Sequence, residues 1–369
     1  MKRVLLVTPY NLTRNEVGGA FTYQFSDKIA DSCKLDVILY QYKDDIVDKP
    51  EKSNIEVICA KRISKIDKYV SWFQCPFYHP LFTSRYSRKM IHFICDMIEK
   101  NKYDYLVFDY SQTFAMAKAI DHPNKLLVTH DVIYQRYERR KSKLLSWIKW
   151  SECRLLMGAE RIYAFSEKDS QLIKSLYGVE CFVTPVFIKE IIIKTEPTDS
   201  LDYYVFFADW RRDDNSESLD WFMKNVLPLS PQSSIKVIGG GASDHLREQM
   251  EQFDKVEYLG FVDNPYPIIA NAKNLICPLH SGAGIKVKCL EALACGTPVI
   301  GTEVAFEGID DTFREFLFLA NTPDEYLKFI NTPSQTLEGK RRIKEKFLRE
   351  YNHNSIVDWI NANNKIQQE

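Results

Sequence analysis

Short runs of apolar, mostly β-branched or aromatic residues alternate with longer amphipathic stretches along the whole chain. Six runs in the first half are predicted strands: RVLLVT, LDVILYQ, IEVICA, YDYLVFDY, KLLVTH and RIYAFS. Six more follow in the second half: YYVFFAD, SIKVIGG, VEYLGFV, NLICPL, TPVIGT and EFLFLAN. Several are apolar nearly throughout, which is typical of parallel strands covered by helices on both faces. The pattern predicts an α/β protein with two Rossmann-like domains, each with a parallel sheet, facing an interdomain cleft.

The segment between the two series of strands, FIKEIIIKTEPTDSLDYY, becomes polar at its end and has no clear amphipathic period. We interpret it as the interdomain linker. This predicts an N-terminal domain over residues 1–186 and a C-terminal domain over residues 187–351. EKFLREYN and SIVDWINANNKIQQE are predicted helices, and the last, at about residues 352–369, is expected to pack back on the first domain.

Composition narrows the class of protein. A chain of 369 residues exceeds what one hydrophobic core usually serves, and its net charge of −1 gives no global attraction to nucleic acid. The nine cysteines include no Cys-x-x-Cys pair, which favours reduced thiols, no zinc site and a cytoplasmic location. The apolar run in MKRVLLVTPY is too short for a signal peptide, and no run of about 18 apolar residues predicts a membrane span.

The clearest candidate for chemistry is HSGAGIKVKCLEALACGTPVI, residues 280–300. A glycine-containing loop between a strand and a helix lets backbone N–H groups approach an anion at the positive helix end. Lys286 and Lys288 are expected in the first turn, where a cation opposes the helix dipole and lowers stability. A role in holding phosphate would explain why lysines stand there. Glu291 lies on the same face as Lys288, and Gly296 is expected to end the helix. A structural helix with an incidental Lys288–Glu291 ion pair is the alternative, since a glycine-rich turn alone is a weak signal.

The longer segment FVDNPYPIIANAKNLICPLHSGAGIKVKCLEALACGTPVIGTEVAFEGI strongly resembles the donor-binding segment of family-4 glycosyltransferases with the GT-B fold. DWRRDDNSESLDWFMKNVLPL, followed by IKVIGGG, is similar to an earlier part of the same domain. The resemblance continues more weakly through SECRLLMGAERIYAFSEKDSQLI in the first domain. It therefore covers most of the chain, although its sharp motifs lie in the second half.

The resemblance implies roles for residues of the C-terminal domain. Glu291 would hold the ribose of a nucleotide sugar, and Lys288 would neutralise its diphosphate together with Arg211 or Arg212. At least one of these arginines could instead pair with Asp213 or Asp214. The remaining donor-binding positions are the phosphate loop, Ser281, Gly282, Ala283, Gly284 and Ile285, and the backbone beside the base, Gly260, Phe261 and Val262.

One position departs from the family pattern. Many members carry a glutamate eight residues before the one that corresponds to Glu291, and that glutamate touches the donor sugar. Ala283 stands there in this chain, so the identity of the donor sugar is left open, whereas the nucleotide contacts are unaffected.

In the N-terminal domain, Gly18-Gly19 resembles the family's glycine loop, which approaches the donor phosphate and the acceptor; an ordinary turn is the alternative. His130 ends the strand KLLVTH, where open α/β sheets present ligand-binding residues. In the family, a histidine at this place contacts the donor sugar or phosphate, and a structural histidine is the alternative. Asp131 is a second candidate, as a polar contact or as the base for the acceptor.

The resemblance implies a retaining transferase that moves a sugar from a UDP- or GDP-linked donor to a glycan or lipid-linked acceptor, in surface polysaccharide biosynthesis. No Asp-x-Asp occurs in the chain, so lysine, arginine and backbone amides are expected to replace a metal ion, and no cofactor is expected. A nucleotide-sugar epimerase of the same fold and a non-catalytic GT-B partner subunit remain alternatives. An oxidoreductase is disfavoured because no Gly-x-Gly-x-x-Gly follows the first strand.

Residues 61–89 and 134–150 are both basic and aromatic. Their candidate apolar anchors are Trp72, Phe73, Phe77, Phe82, Trp147 and Trp150. Such segments can dock on anionic lipid headgroups, which would place the enzyme peripherally on the cytoplasmic face of a membrane. The alternative is that the aromatic residues are buried in the core and the cations are simply solvated.

Overall fold

The structure is a computed structural model that describes residues 1–13, 17–41, 47–48, 50–351 and 355–365. The chain divides into two compact units. Unit 1 comprises Met1–Phe187 together with His353–Glu369, and unit 2 comprises Ile188–Asn352.

Unit 1 is built on a parallel sheet with strand order β3-β2-β1-β4-β5-β6-β7. Its strands are β1 (Lys2–Thr8), β2 (Cys33–Gln41), β3 (Ile55–Arg62), β4 (Tyr105–Asp109), β5 (Lys125–Thr129), β6 (Arg161–Ala164) and β7 (Phe182–Val183). Its first helices are α1 (Val17–Ile29), α2 (Lys65–Gln74), α3 (Pro80–Thr83), α4 (Arg88–Asn101), α5 (Ser111–Phe114), α6 (Ile133–Arg139), α7 (Leu145–Leu156) and α8 (Glu167–Tyr177). Helices cover both faces of the sheet, and the middle of each central strand is accordingly apolar. Val4, Leu106 and Leu127, for example, are fully buried.

Unit 2 repeats the design with strand order β10-β9-β8-β11-β12-β13, again parallel. Its strands are β8 (Tyr204–Phe207), β9 (Ile235–Ile238), β10 (Val256–Gly260), β11 (Leu275–Cys277), β12 (Val299–Gly301) and β13 (Leu317–Leu319). Its helices are α9 (Glu190–Lys194), α10 (Asp213–Asn225), α11 (Asp244–Glu251), α12 (Tyr266–Asn271), α13 (Val287–Ala294), α14 (Glu303–Phe306), α15 (Pro323–Ile330) and α16 (Leu337–Glu350). In each unit the order reverses direction beside the first strand, and this switch point is where such sheets bind ligands.

The last described helix, α17 (Ser355–Lys365), belongs to unit 1. Ile356 and Ile360 are fully buried, and the Trp359 ring lies 4.9 Å from the ring of Tyr105. The Arg161 guanidinium lies 5.2 Å from the Trp359 ring, and Asn361 donates a hydrogen bond to Ser32. The chain therefore completes its first unit only after the second.

Two expectations need correction, and one strand was not predicted. The interdomain segment contains α9, in which Ile192 is fully buried, so this part belongs to unit 2 and is not a linker. EKFLREYN is only the end of α16, which begins at Leu337. Strand β7 was not predicted, because a two-residue strand carries no periodic pattern.

Among the described residues, no helix is both long and apolar enough to cross a bilayer.

Candidate functional site

The loop between β11 and α13 has the backbone that its glycines predicted. Gly282 and Gly284 have φ values of +123° and +70°, in the left-handed region that favours glycine. Helix α13 begins at Val287, with Lys286 as its N-cap residue and no side-chain cap. No side-chain cap competes for the backbone N–H groups of its first turn, an arrangement that can bind an anion.

The two lysines of this segment have different surroundings. Lys286 lies at the N-cap position and not in the first turn as expected; its Nζ donates to the carbonyl of Gly284 at 2.7 Å and lies 3.7 Å from the Glu307 carboxylate. Lys288, the second residue of α13, donates to Oδ1 of Asn215 at 2.8 Å. The partner of Lys288 is therefore a neutral amide of α10.

Glu291 is buried within α13, with 8% of its surface exposed. Tyr266, at the start of α12, donates its hydroxyl to Glu291 Oε1 at 3.1 Å. Burial raises the pKa of Glu291, partly opposed by the positive charge of Lys189. Because Glu291 and Lys288 have separate partners, the incidental ion pair between them is not formed.

Both arginines after β8 are exposed and ion-paired. Arg211 binds Asp209 through Nε and Nη2, each at 2.9 Å. Arg212 binds Asp214 through Nε at 3.1 Å and Nη2 at 2.8 Å, which is one of the alternative pairings that the sequence allowed. Burial alone would raise the pKa of Asp214, but hydrogen bonds from Arg212 and the charges of Arg212 and Lys288 hold it below its usual value.

Two helix N-termini meet at this point. Helix α10 begins after Arg212, also without a side-chain cap, and Lys288 of α13 reaches Asn215 in its first turn. A Cβ placed on Gly282 would lie 3.8 Å from Asp214 Oδ2, so the loop passes directly beside α10. A pocket of about 230 Å³ next to the loop is lined by Asp214, Glu217, Ser218, Trp221, His280 and Ser281.

The predicted base-binding backbone lies at the end of β10. Gly260 has φ +66° with open space around it, and the side chain of Phe261 is 61% exposed. The carbonyl of Gly260 accepts a hydrogen bond from the N–H of Gly239 at 2.7 Å, which joins the ends of β9 and β10. Val262 is half-buried. Ala283, the departure from the family pattern, lies in the loop that precedes α13.

In unit 1, His130 follows β5 and donates a hydrogen bond through Nε2 to Oδ1 of Asp109, at 2.7 Å. Asp109 ends β4, is fully buried and accepts a second hydrogen bond from Thr8 at 2.9 Å. The His130 ring stacks on Tyr110, with 3.5 Å between centroids, and meets Phe21 edge-on. Strands β1, β4 and β5 are parallel neighbours, so their carboxyl ends bring Thr8, Asp109 and His130 together.

The other two candidates of unit 1 have mixed outcomes. Asp131 is buried and forms an ion pair with Arg136 of α6, which reduces its suitability as a base. Gly19 lies in the first turn of α1 and not in a loop as expected; a Cβ there would lie 2.2 Å from Thr13 Cγ2. Residues 14–16 of the expected glycine loop lie outside the described residues.

Sequence reasoning missed the residues that hold the candidates in place: Asp109, Tyr110, Lys189, Asn215 and Tyr266. Asp109 carried a usable signal, because it is a lone carboxylate at the end of an apolar strand next to the strand of His130.

Comparisons with known proteins agree with this architecture. The family model described as "Glycosyl transferases group 1" matches residues 202–332. A protein from the cps region of Klebsiella pneumoniae, described as uncharacterised, is 22% identical over 265 residues, which cover 66% of this chain and 68% of the relative.

Two solved structures illustrate the similarity of fold. Sucrose-phosphate synthase from Thermosynechococcus elongatus superposes with a TM-score of 0.71 and 13% identity, covering 100% of this chain and 99% of that one. HepE from Anabaena, solved in complex with UDP, superposes with a TM-score of 0.68 and 14% identity, covering 100% of both chains. This chain therefore has the GT-B fold, and its residues 202–332 match the family model of glycosyl transferases group 1.

Proposed function

We propose that the protein is a retaining glycosyltransferase that moves a sugar from a nucleoside-diphosphate sugar to a hydroxyl of a glycan or lipid-linked acceptor. The observation that carries this proposal is the meeting of the α10 and α13 N-termini beside Lys288 and Arg212. Neither helix has a side-chain cap, so backbone N–H groups and cations converge where a diphosphate would be bound.

Lys288 is the strongest candidate for diphosphate binding. Among the described residues its hydrogen-bond partner is the neutral amide of Asn215, so a phosphate can take over this contact without breaking an ion pair. Arg212 would have to leave Asp214, and Arg211 would have to leave Asp209. One of these arginines supplies the second cation at the expense of an exposed pair that contributes little stability.

The remaining donor contacts follow the same surface of unit 2. The Glu291 carboxylate would accept hydrogen bonds from the ribose hydroxyls, with Tyr266 and Lys189 holding its position and charge. The base would lie along Gly260, Phe261 and Val262, where the exposed Phe261 side chain offers an apolar surface. Amides from Ser281 to Ile285 would complete the phosphate site.

Catalysis would come from stabilising the departing diphosphate. As the bond between sugar and phosphate breaks, negative charge grows on the β-phosphate, and fixed cations and helix N–H groups lower the energy of that state. No metal ion is needed in this scheme, because the cations of the chain supply the positive charge. In unit 1, His130 would contact the donor sugar or phosphate, oriented by Asp109.

Two of the similar proteins bear on the identity of the donor and the acceptor. The relative from a cps region favours surface polysaccharide biosynthesis, and the UDP complex of HepE favours a uridine nucleotide over a guanosine one. Ala283 removes one side-chain contact to the donor sugar, so backbone amides or another group would select the sugar.

The test is a thermal-shift screen against UDP-, GDP- and other nucleotide sugars. A ligand at 100 times its Kd stabilises the protein by about 2.7 kcal/mol, which gives a measurable rise in melting temperature. The rise should vanish in Glu291→Ala and persist in Glu248→Ala, a matched change on the surface of α11. A nucleotide shift that survives Glu291→Ala would remove the ribose role.

Activity assays then separate the candidate functions. Transfer to an acceptor supports the proposal. Conversion of the donor sugar without an acceptor would indicate an epimerase. Nucleotide binding with neither transfer nor donor hydrolysis would indicate a binding subunit, the function that Ala283 makes a second candidate.

A further inference from the structure

Helix α2 of unit 1 has its apolar side turned to solvent. Ile66, Tyr69, Val70 and Phe73 follow the spacing of one helical face, and their exposed fractions are 73%, 69%, 45% and 75%. The buried residue of the helix is Ser71, and Asp67 and Gln74 are half-buried. An amphipathic helix of a globular protein usually buries its apolar face, so this exposed face is a candidate surface for binding a partner.

The segment after α2 extends this apolar side toward α7. The side chain of Phe77 is 77% exposed, while its carbonyl accepts a hydrogen bond from Trp147 Nε1 at 2.8 Å. The ring of Tyr78 lies 5.5 Å from that of Trp150, which is itself 45% exposed. The two basic and aromatic segments of the sequence therefore form one continuous surface. We call it the docking face, defined by the exposed residues Ile66, Tyr69, Val70, Phe73, Phe77, Leu144 and Trp150.

Two of the anchors expected from the sequence do not belong to this face. Phe82 is fully buried, where it packs with Ile133 and Ile148, and Trp147 is half-buried by its contact with His79. Trp72 lies at the margin of the face, 38% exposed.

The docking face is surrounded by positive charge. Residues 61–89 contain seven Lys or Arg residues and one Asp, and residues 134–150 contain six Lys or Arg residues and one Glu. The whole chain, by contrast, has a net charge of −1. Lys65, Lys89, Lys141 and Lys143 are exposed. The acidic residue Asp67 is held at the N-terminus of α2 by the N–H of Ser64, at 2.7 Å, in a capping box.

We propose that the docking face binds the surface of an anionic lipid bilayer, with α2 lying in the plane of the headgroups. Apolar and aromatic side chains on one side with cations at the margins are the pattern of a helix that enters the headgroup region. The cations add attraction to anionic lipids and the aromatic residues enter the boundary of the acyl chains. This inference does not rest on the proposed sugar transfer.

The test is cosedimentation of the full chain with vesicles of phosphatidylcholine alone or mixed with phosphatidylglycerol. The wild type should pellet with the mixed vesicles only, and binding should weaken as salt rises toward about 1 M, where the Debye length is about 3 Å. Bromine-labelled lipids should quench tryptophan fluorescence, because Trp72 and Trp150 lie at or beside the face.

Two pairs of variants separate the contributions. Phe73→Ser with Phe77→Ser should lower the partition coefficient about tenfold or more, and Lys141→Glu with Lys143→Glu at least about thirtyfold. The controls are Leu229→Ser, an exposed leucine of unit 2, and Lys34→Glu with Lys255→Glu, which change the net charge equally elsewhere. All these positions are exposed, so the variants should fold.

Three outcomes would overturn the proposal. The first is absence of binding to mixed vesicles. The second is equal loss of binding in the control variants or equal binding to neutral vesicles. The third is self-association that Phe73→Ser with Phe77→Ser abolishes while vesicles remain unbound, which would assign the face to a second copy of the chain. None of them bears on the nucleotide screen, so the two proposals fail separately.

Discussion

The carboxyl group of Glu291 lies in a site that disfavours its negative charge. Burial raises its pKa above the ordinary value, so the folded protein holds this proton more tightly than the unfolded chain does. Its contribution to stability is therefore fully present below the unfolded pKa and is lost as pH rises through the folded pKa. Ionising Glu291 in the folded protein therefore costs stability.

This gives a prediction for Glu291→Gln. Glutamine keeps an acceptor for the Tyr266 hydroxyl and carries no charge, so the variant should gain stability relative to wild type as pH rises above about 4.5. Melting temperatures measured between pH 4.5 and 8 test this. The control is Glu248→Gln, on the exposed surface of α11. Its melting temperature should differ from that of wild type by the same amount at every pH. A constant difference between Glu291→Gln and wild type would mean that the carboxyl has an ordinary pKa.

The hydrogen-bonded pair of His130 and Asp109 gives a second prediction. If His130 contacts the donor, His130→Ala should lower kcat by about 10²–10⁴-fold with little change in nucleotide affinity. Asp109→Asn should have a smaller effect, because Asp109 would act through its hydrogen bond to the ring.

A double-mutant cycle distinguishes positioning from a separate structural role. Adding Asp109→Asn to His130→Ala should lower kcat little further, because the group to be positioned is already gone. Fully additive effects would mean that Asp109 acts independently of His130. Melting temperatures of all three variants control for the buried contact between Asp109 and Thr8.

The sequence indicated site residues by their type and place, but not their partners. Lys288 and Glu291 are near neighbours in sequence, and an ion pair between them was a reasonable alternative. Their partners, Asn215 and Tyr266, come from α10 and α12, which the order of the strands brings beside α13. Such contacts between distant segments leave no periodic pattern in the sequence.

At the scale of elements, the end of α13 depends on one glycine. Gly296 follows the helix with φ +78°, and a Cβ at this position would lie 2.5 Å from the carbonyl oxygen of Lys340 on α16. The glycine therefore provides both a left-handed turn and a close approach of two helices.

Gly296→Ala should destabilise the protein by more than about 2 kcal/mol, since the left-handed backbone costs about 1–2 kcal/mol and the contact with Lys340 adds overpacking. Gly178→Ala is the matched control: Gly178 ends α8 with φ +66°, but has open space around it. It should cost about 1 kcal/mol. Chemical denaturation measures both, and equal costs would mean that α16 moves aside easily.

The apolar runs predicted the strands well because the middle of a central strand, such as residues 4–7 of β1, is apolar and buried. Periodicity failed for α9, since a five-residue helix that buries only Ile192 has no period to detect. Helix α2 shows another limit. The spacing of Ile66, Tyr69, Val70 and Phe73 defines an apolar face but does not say whether protein or solvent meets it.

For the whole molecule, alternating strands and helices in two series were enough to predict the GT-B fold once the motif of residues 280–300 was recognised. The return of the chain to unit 1 was only suggested by a final amphipathic helix. Its contacts with Tyr105 and Arg161 join segments too far apart for local patterns to specify.

A whole-chain prediction concerns metal ions. Because no Asp-x-Asp occurs in the sequence, transferase activity should persist in excess EDTA and should not increase with added Mn²⁺. A metal-dependent transferase assayed in parallel is the control. If EDTA abolished activity and Mn²⁺ restored it, the roles given to Lys288 and the arginines would be wrong.

The return of α17 to unit 1 has a consequence for synthesis on the ribosome. Domains generally fold in the order in which they emerge. Here Trp359, Ile356 and Ile360 are translated after all of unit 2, so the surface around Tyr105 stays uncovered while the second sheet is made. Unit 1 therefore cannot complete its core until all of unit 2 has been synthesised.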